Sequence, residues 1–276
     1  MMKPSEIKAI LASLGAKPNK KLGQHFLVDG AALEAIVRSA DIREGDQVLE
    51  IGPGLGVLTG RLVEAGAQVT AIEQDGAFVP YLYDRFGSTV AVTHGDAAVL
   101  HWHELLEKGD WKLISNLPYS ITSLALRKAL WSPRPAARVV VLVQREVAER
   151  ATAKNGKTSL LSLMVALASS SARIVRRVPA GAFFPPPKVQ SAVLEIFPLP
   201  LRDRAERWGV DPERVMELAR RGFAHPRKQL ASNLADKMHS KEMIQTVLHE
   251  VHVNERARAE DLSPASWAAL TQAFLL

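Results

Sequence analysis

Over the first half of the chain, short apolar runs of strand type alternate with segments whose apolar residues recur at helical spacing. Gln47-Val48-Leu49-Glu50-Ile51 reads as a buried strand, and residues 58–64 follow it with a helical pattern. Residues 68–73, 89–93, 112–115 and 138–143 read as further strands, with helices over 79–86 and 124–131 between them. Strands alternating with helices of this length predict parallel pairing through right-handed crossovers. The run Val139-Val140-Val141-Leu142-Val143 has no polar face, as a strand covered on both sides requires.

Beyond residue 150 the pattern changes. Residues 159–170 are apolar at helical spacing, and 173–178 and 190–197 read as two more strands. Between those strands lies Phe183-Phe184-Pro185-Pro186-Pro187, which proline confines to a stiff loop. After Pro198-Leu199-Pro200 only helical patterns remain, over 212–221, 228–238, 241–249 and 264–274. Asp211-Pro212 and Ser263-Pro264 are helix starts, each pairing an N-cap side chain with proline at the first helical position. A short helix is expected over 5–14. The chain therefore reads as α/β, with a mostly parallel seven-stranded sheet over 25–200, a basic N-terminal segment over 1–24 and a small all-helical C-terminal domain over 201–276.

Composition adds two constraints. No cysteine is present, which removes disulfides, thiolate zinc sites and cysteine nucleophiles and fits a reducing, cytoplasmic setting. The start lacks the apolar core of a signal peptide, and no apolar stretch approaches the ~20 residues of a membrane helix. Charge is more informative. The net charge is +6, but residues 127–188 carry twelve Lys/Arg against two acids and residues 1–24 carry five against one. Residues 25–126 are acidic, with six against fourteen. A basic block of this density points to a polyanion, and nucleic acid is the natural partner.

Candidate chemistry sits at the ends of the strands. Gly52, Gly54 and Gly56 follow the first strand and precede a helix, where backbone can approach a ligand closely. The spacing differs from the G-x-G-x-x-G of dinucleotide folds, and the Lys-Ser/Thr of a phosphate-cradling loop is missing. Glu50 lies two residues before Gly52. Glu73 ends the second strand, where a carboxylate can accept both hydroxyls of a ribose, and Asp96 follows the third, where it can accept from an adenine amino group. Together these features predict a nucleoside ligand without essential phosphates, S-adenosylmethionine (SAM), with S-adenosylhomocysteine as product. No metal site is expected.

Asn116-Leu117-Pro118-Tyr119 follows the fourth strand. An exocyclic amine on adenine is a poor nucleophile because its lone pair is delocalised into the ring. If the Asn116 side-chain oxygen and the Leu117 carbonyl accept its two N–H groups, the nitrogen can pyramidalise toward a free lone pair. Tyr119 can stack on the base, and Pro118 fixes the turn. Positioning then supplies most of the rate. Phe183 offers a second aromatic face on the proline-stiffened loop, although one of Phe183 and Phe184 is expected to be core packing. Arg145, Arg150, Lys154, Lys157 and Lys188 are expected to hold RNA phosphates.

Taken together, Gly23-Gln24-His25-Phe26-Leu27, residues 49–59, Asn116 to Tyr119 and the run FFPPPKVQSAV from Phe183 to Val193 resemble the ribosomal RNA adenine N6-dimethyltransferase family, in its small-subunit branch. The resemblance runs from Lys20 to the last residue. It implies a Rossmann-like SAM-dependent methyltransferase domain. It places Gln24, the backbone around His25, and Leu27 against the cofactor, Gly52 and Gly54 at the methionine part, Glu73 at the ribose and Asp96 at the adenine ring. Asn116, Tyr119 and Phe183 would hold the target base. The implied substrate is a pair of adjacent adenosines in a hairpin loop near the 3′ end of 16S ribosomal RNA, each dimethylated in a pre-assembled small ribosomal subunit during late assembly. Three departures stand out: His25 where the family usually has Asn, Thr158-Ser159 in place of Tyr-Gly, and Pro226 within a basic stretch. The competing readings are a large-subunit RNA adenine methyltransferase of the macrolide-resistance type, a DNA adenine methyltransferase, and a non-catalytic RNA-binding assembly factor. A monomer is expected, since no heptad or large apolar stripe is visible.

Overall fold

The computed structural model describes residues 1–20, 22–153, 157–236 and 238–275. Nine strands are present among them. In chain order these are β1 (Phe26–Leu27), β2 (Gln47–Ile51), β3 (Gln68–Glu73), β4 (Val90–His94), β5 (Trp111–Asn116), β6 (Arg138–Gln144), β7 (Ser169–Val178), β8 (Phe183–Phe184) and β9 (Ser191–Pro198). Seven of them form one sheet in the order β4-β3-β2-β5-β6-β9-β7. The pairs β2–β3, β3–β4, β2–β5 and β5–β6 are parallel, while β6–β9 is antiparallel. This is the Rossmann-like, mostly parallel α/β arrangement expected from the alternating pattern.

The strand order explains where a ligand can sit. From β2 the chain winds outward through β3 to β4, then returns to pair β5 against the other side of β2. That reversal leaves a crevice beyond the carboxyl ends of β2 and β5, the usual ligand site of an open α/β sheet. The two strands are in register from Gln47↔Trp111 to Leu49↔Leu113. Beyond that the buried Ser115 hydroxyl donates to the Ile51 carbonyl at 2.6 Å, so the polar end of β2 remains satisfied as the strands part. Behind the crevice, Val139 to Val143 of β6 are fully buried.

Contacts divide the described chain into two compact units. One comprises 1–148 and 173–198, and the other 149–172 and 199–276. These bounds differ from linear boundaries at 24 and 200. The N-terminal helix Pro4–Ser13 buries Ile7 and Leu11 in the core of the first unit. The helix Leu160–Ala168 is apolar nearly all round and packs with the helices Leu201–Trp208, Pro212–Gly222 and Pro264–Leu275 of the second unit. β7 accordingly begins in one unit and ends in the other.

In the second unit the Asp211 side chain accepts from Glu213 N–H, and Ser263 Oγ accepts from Ser266 N–H, as the capping pattern predicts. The helix expected over 228–238 is shorter, Leu230–Leu234. Arg221 Nη2 donates to the Leu234 carbonyl and to Asp236, while Asp236 Oδ1 accepts from Met238 and His239 N–H. These bonds satisfy a turn that competes with helix. Four further helices are present among the described residues that the pattern did not announce: Gly30–Ala40, capped by Asp29, the short Trp102–Leu105, Arg145–Ala151, and Leu201–Trp208. No helix of the described residues is long and apolar enough to cross a membrane.

Candidate functional site

A cavity of about 300 Å³ opens at the carboxyl ends of β2, β3 and β5. Gln24, His25, Leu27, Glu50, Gly52, Gly54, Glu73, Asp96, Asn116, Leu117 and Tyr119 all line it. Residues from five separate sequence segments thus meet at one site.

One end is shaped by backbone. Gly52 and Gly54 have φ of +69° and +56°, a region that side chains rarely enter. A Cβ on Gly52 would lie 3.3 Å from Pro118 Cγ, and one on Gly54 3.3 Å from the Phe26 ring. The glycine loop and the Asn116–Tyr119 turn are therefore in contact. Glu73 is 5% exposed, and its two oxygens accept from Gly54 N–H at 2.9 Å and Asp75 N–H at 2.8 Å. Burial pushes its carboxyl upward, against the pull of those two N–H groups. Glu50 is more deeply buried, accepts from the Thr59 hydroxyl at 2.7 Å, and is pushed up to about 8 by burial. Asp96 caps the turn after β4 by accepting from Ala98 N–H.

The other end is shaped by tethered side chains. Asn116 Nδ2 donates to the His25 carbonyl at 3.3 Å, which assigns the amide nitrogen and leaves Oδ1 as the acceptor. Tyr119 is held by a 2.7 Å hydrogen bond between its hydroxyl and Ser191 Oγ on β9, and burial raises its phenol. Its ring stacks on His25 with centroids 6.0 Å apart and planes 28° from parallel. His25 Nδ1 is in turn 2.7 Å from the Pro185 carbonyl.

Further hydrogen bonds support these residues from behind. Gln24 accepts from Asn19 N–H and donates to Asp75 Oδ2, both at 2.7 Å, which ties the N-terminal segment to the loop after Glu73. Lys128 Nζ donates to the carbonyls of Ala97, Ala98 and Leu100 and thereby clamps the loop that carries Asp96. Burial pulls the Lys128 ammonium below the usual lysine range, partly opposed by the nearby Asp96 carboxylate. Ser191 could have been found only through its place in the Phe183–Val193 run. Lys128 and Asp75 gave no signal.

Phe183 is not among the residues that line the cavity. β8 pairs antiparallel with β1, with Phe183 opposite Leu27, and the Phe183 ring is 3% exposed within the hydrophobic core. Burying an aromatic ring there outweighs presenting it to the crevice. Its neighbour Phe184 is half-buried, with Lys8 Nζ 5.4 Å from its ring centre. Arg145, Arg150, Lys157 and Lys188 are exposed, and Arg145 Nη1 donates to Gln190 Oε1. Lys154 lies outside the described residues.

Residues 15–275 match the family model for ribosomal RNA adenine dimethylase. The chain belongs to this family. It is 39% identical over 274 residues to the ribosomal RNA small subunit methyltransferase A of Deinococcus radiodurans, covering 98% of this chain and 90% of that protein. Among solved structures it is similar to a dimethyladenosine transferase from Plasmodium falciparum, with a TM-score of 0.74, 25% identity, and coverage of 89% and 96% of the two chains. The 23S rRNA methyltransferase ErmE shares the fold, with a TM-score of 0.71, 24% identity, and coverage of 91% and 100%. Members of the family use SAM as methyl donor, and the cradle fits it: a glycine loop admitting close backbone approach, and Glu73 with lone pairs left beyond its two backbone donors. The protein is a SAM-dependent ribosomal RNA adenine dimethyltransferase.

Proposed function

We propose that this enzyme dimethylates the N6 amines of two adjacent adenosines in the 3′-terminal hairpin loop of small-subunit ribosomal RNA, acting on a pre-assembled particle late in assembly. The observation that carries the reading is the orientation of Asn116. Its nitrogen is committed to the His25 carbonyl, so its oxygen serves as acceptor in the cavity that Glu73 and the glycine loop also line.

When bound, SAM supplies a methyl group on a sulfonium centre, already activated for displacement. The chain's own residues do the rest. Glu73 and Asp96 hold the ribose and adenine of the cofactor. Gly52, Gly54, Leu27, Gln24 and the His25 backbone close around its methionine end, with Glu50 beneath the loop. Asn116 Oδ1 and the Leu117 carbonyl accept the N–H groups of the target amine and free its lone pair. The Leu117 side chain is 2% exposed, so its polar contribution is main chain alone. Tyr119 offers a flat face held at a fixed angle by Ser191. No group in this set must abstract a proton before attack, because the amine loses its proton readily once the new C–N bond has formed. Orientation and electrostatic placement supply the acceleration.

Phosphate binding is assigned to Arg145, Arg150, Lys154, Lys157 and Lys188. Neutralising Arg145 and Lys188 should weaken particle binding and flatten its dependence on salt, because fewer phosphates are then neutralised and fewer counterions released. The function itself is tested by incubating the protein and SAM with small subunits lacking the modification and locating methylated nucleotides by mass spectrometry. Two adjacent dimethyladenosines near the 3′ end are expected. Methylation of large-subunit RNA instead, or none on either subunit, would overturn the reading.

A further inference from the structure

Asp96 sits at the head of a single turn after β4. Its main-chain carbonyl accepts from Val99 and Leu100 N–H, both at 3.0 Å, and its Oδ1 accepts from Ala98 N–H at 2.8 Å. The turn is tied to β3, because Gly95 N–H donates to the Glu73 carbonyl at 2.9 Å. N–H groups are therefore satisfied at the Asp96 end, and the carbonyls that follow need partners from elsewhere. Lys128, on the helix Thr122–Trp131, meets three of them. Its Nζ lies 2.9, 2.7 and 3.0 Å from the carbonyl oxygens of Ala97, Ala98 and Leu100. An ammonium has three donors, enough for one bond to each. Trp102 Nε1 adds a second bond to the Ala97 carbonyl at 2.9 Å, and Lys128 Nζ lies 5.2 Å from the centre of the Trp102 ring.

We propose that Lys128 is a positioning residue for the cofactor's adenine: by holding three carbonyls of the turn, it fixes the Asp96 carboxylate where it accepts from the adenine amino group. This rests on the reading of Asp96 as the adenine contact. The turn cannot supply that rigidity itself, since one isolated turn of chain is unstable in water. Val99, at its outer side, is 74% exposed and offers it little packing. Without the ammonium the Ala97 carbonyl keeps Trp102, but those of Ala98 and Leu100 lose this partner, and the turn must open to replace it with water. Asp96 and Ala97 line the cavity and Lys128 does not. Its influence therefore reaches the ligand through Asp96, at the group on position 6 of the purine, and leaves the ribose and methionine contacts in place.

The test measures calorimetric affinity of the full-length enzyme for S-adenosylhomocysteine and for S-inosylhomocysteine, in which oxygen replaces the 6-amino group. That oxygen has no hydrogen to give a carboxylate, so the parent should bind the inosine compound at least about tenfold more weakly. Lys128→Met keeps the stem and removes the ammonium. It should weaken S-adenosylhomocysteine about tenfold and the inosine compound less than about threefold, so that the preference shrinks. Lys128→Arg keeps the charge and should lie closer to the parent. With small subunits lacking the modification, Lys128→Met should raise KM for SAM about tenfold and leave kcat within about twofold. In an Asp96→Ala background the same change should cost less than about threefold in S-adenosylhomocysteine affinity, because the group it positions is gone.

The proposal is overturned if Lys128→Met binds S-adenosylhomocysteine as the parent does, if both compounds weaken by the same factor, or if the full loss persists without the Asp96 carboxylate. A lysine that only stabilises the fold lowers the melting temperature and leaves the preference between the two compounds unchanged. Lys128→Gln carries the comparison if methionine is not tolerated. A parent enzyme that binds both compounds equally overturns the reading of Asp96 itself, a result distinct from an inert Lys128.

Discussion

The two ends of the cavity are built in different ways. At the cofactor end, shape comes from backbone: left-handed glycines at 52 and 54, and a glutamate whose carboxylate is pinned by two main-chain N–H groups. At the amine end, shape comes from side chains whose tethers lie far along the sequence. Asn116 is held by residue 25, Tyr119 by residue 191, and His25 by residue 185. The first end is robust to changes of neighbouring side chains and intolerant of any added Cβ. The second depends on its polar atoms, most of all on the Asn116 amide. Steric substitutions should therefore report on cofactor affinity, and polar deletions on turnover.

The largest expected effect breaks the amine end alone. Asn116→Ala removes the side-chain acceptor, and kcat should fall by about 10²–10³, the range for deleting one preorganised polar group at a reacting centre. SAM affinity should stay within a few-fold. Turnover close to the parent's in that variant would remove the amine grip. The converse break is Gly54→Ala. It combines a residue at φ +56° with a Cβ 3.3 Å from the Phe26 ring. The left-handed backbone alone costs about 1–2 kcal/mol, so calorimetry should show SAM affinity reduced about tenfold. The rate at saturating cofactor should change much less. A Gly54→Ala enzyme with normal affinity but poor turnover would show that the two ends are not separable in this way.

The same contrast decides what could be read from the sequence. The parallel sheet was legible because β-rich runs and helical runs alternate, and β2 and β3 fall on the runs expected at 47–51 and 68–73. Glycine spacing and the acids at strand ends revealed the cofactor end, since its determinants are local. The amine end was legible only as residue types. That Tyr119 is anchored by Ser191, or that Asn116 is oriented by a carbonyl 91 residues away, follows from strand order and from the β1–β8 ribbon. Two-residue strands carry no periodicity. The ribbon went unseen for that reason, and with it the burial of Phe183 opposite Leu27. The grouping of 149–172 with the C-terminal helices was hidden similarly, because an apolar helix such as Leu160–Ala168 does not reveal which core it fills.

A smaller effect concerns pH and sharpens the cofactor end. Glu50 is pushed up to about 8 by burial, from an ordinary value of 4.5. Between those limits the folded chain keeps a proton on this carboxyl that the unfolded chain has lost. Stability is therefore lost as pH rises through the window and levels off above it. Glu50→Gln keeps a group that can still bond Thr59 but cannot ionise. Its urea midpoint should fall less than the parent's between pH 5.5 and pH 8. Parallel profiles for the two proteins would mean that Glu50 is already ionised in the folded chain.

The smallest effect tests whether a tether at the amine end acts on stability or on turnover. Tyr119→Phe keeps the ring and removes the hydroxyl that meets Ser191 Oγ at 2.7 Å. Ser191 is fully buried, so its hydroxyl loses a partner that water cannot readily replace. The net loss for such a bond is about 0.5–1.5 kcal/mol of folding stability, measurable as a lower urea midpoint. Turnover should fall only a few-fold, because the stacking face survives while its angle loosens. Tyr119→Phe, Ser191→Ala removes both hydroxyls and leaves no unpaired buried donor, so it should recover part of the stability lost by the single change without restoring turnover. Recovery of both together would mean that the bond serves packing alone. Recovery of stability only would show that the angle of the Tyr119 ring, and not merely its presence, is what the site requires.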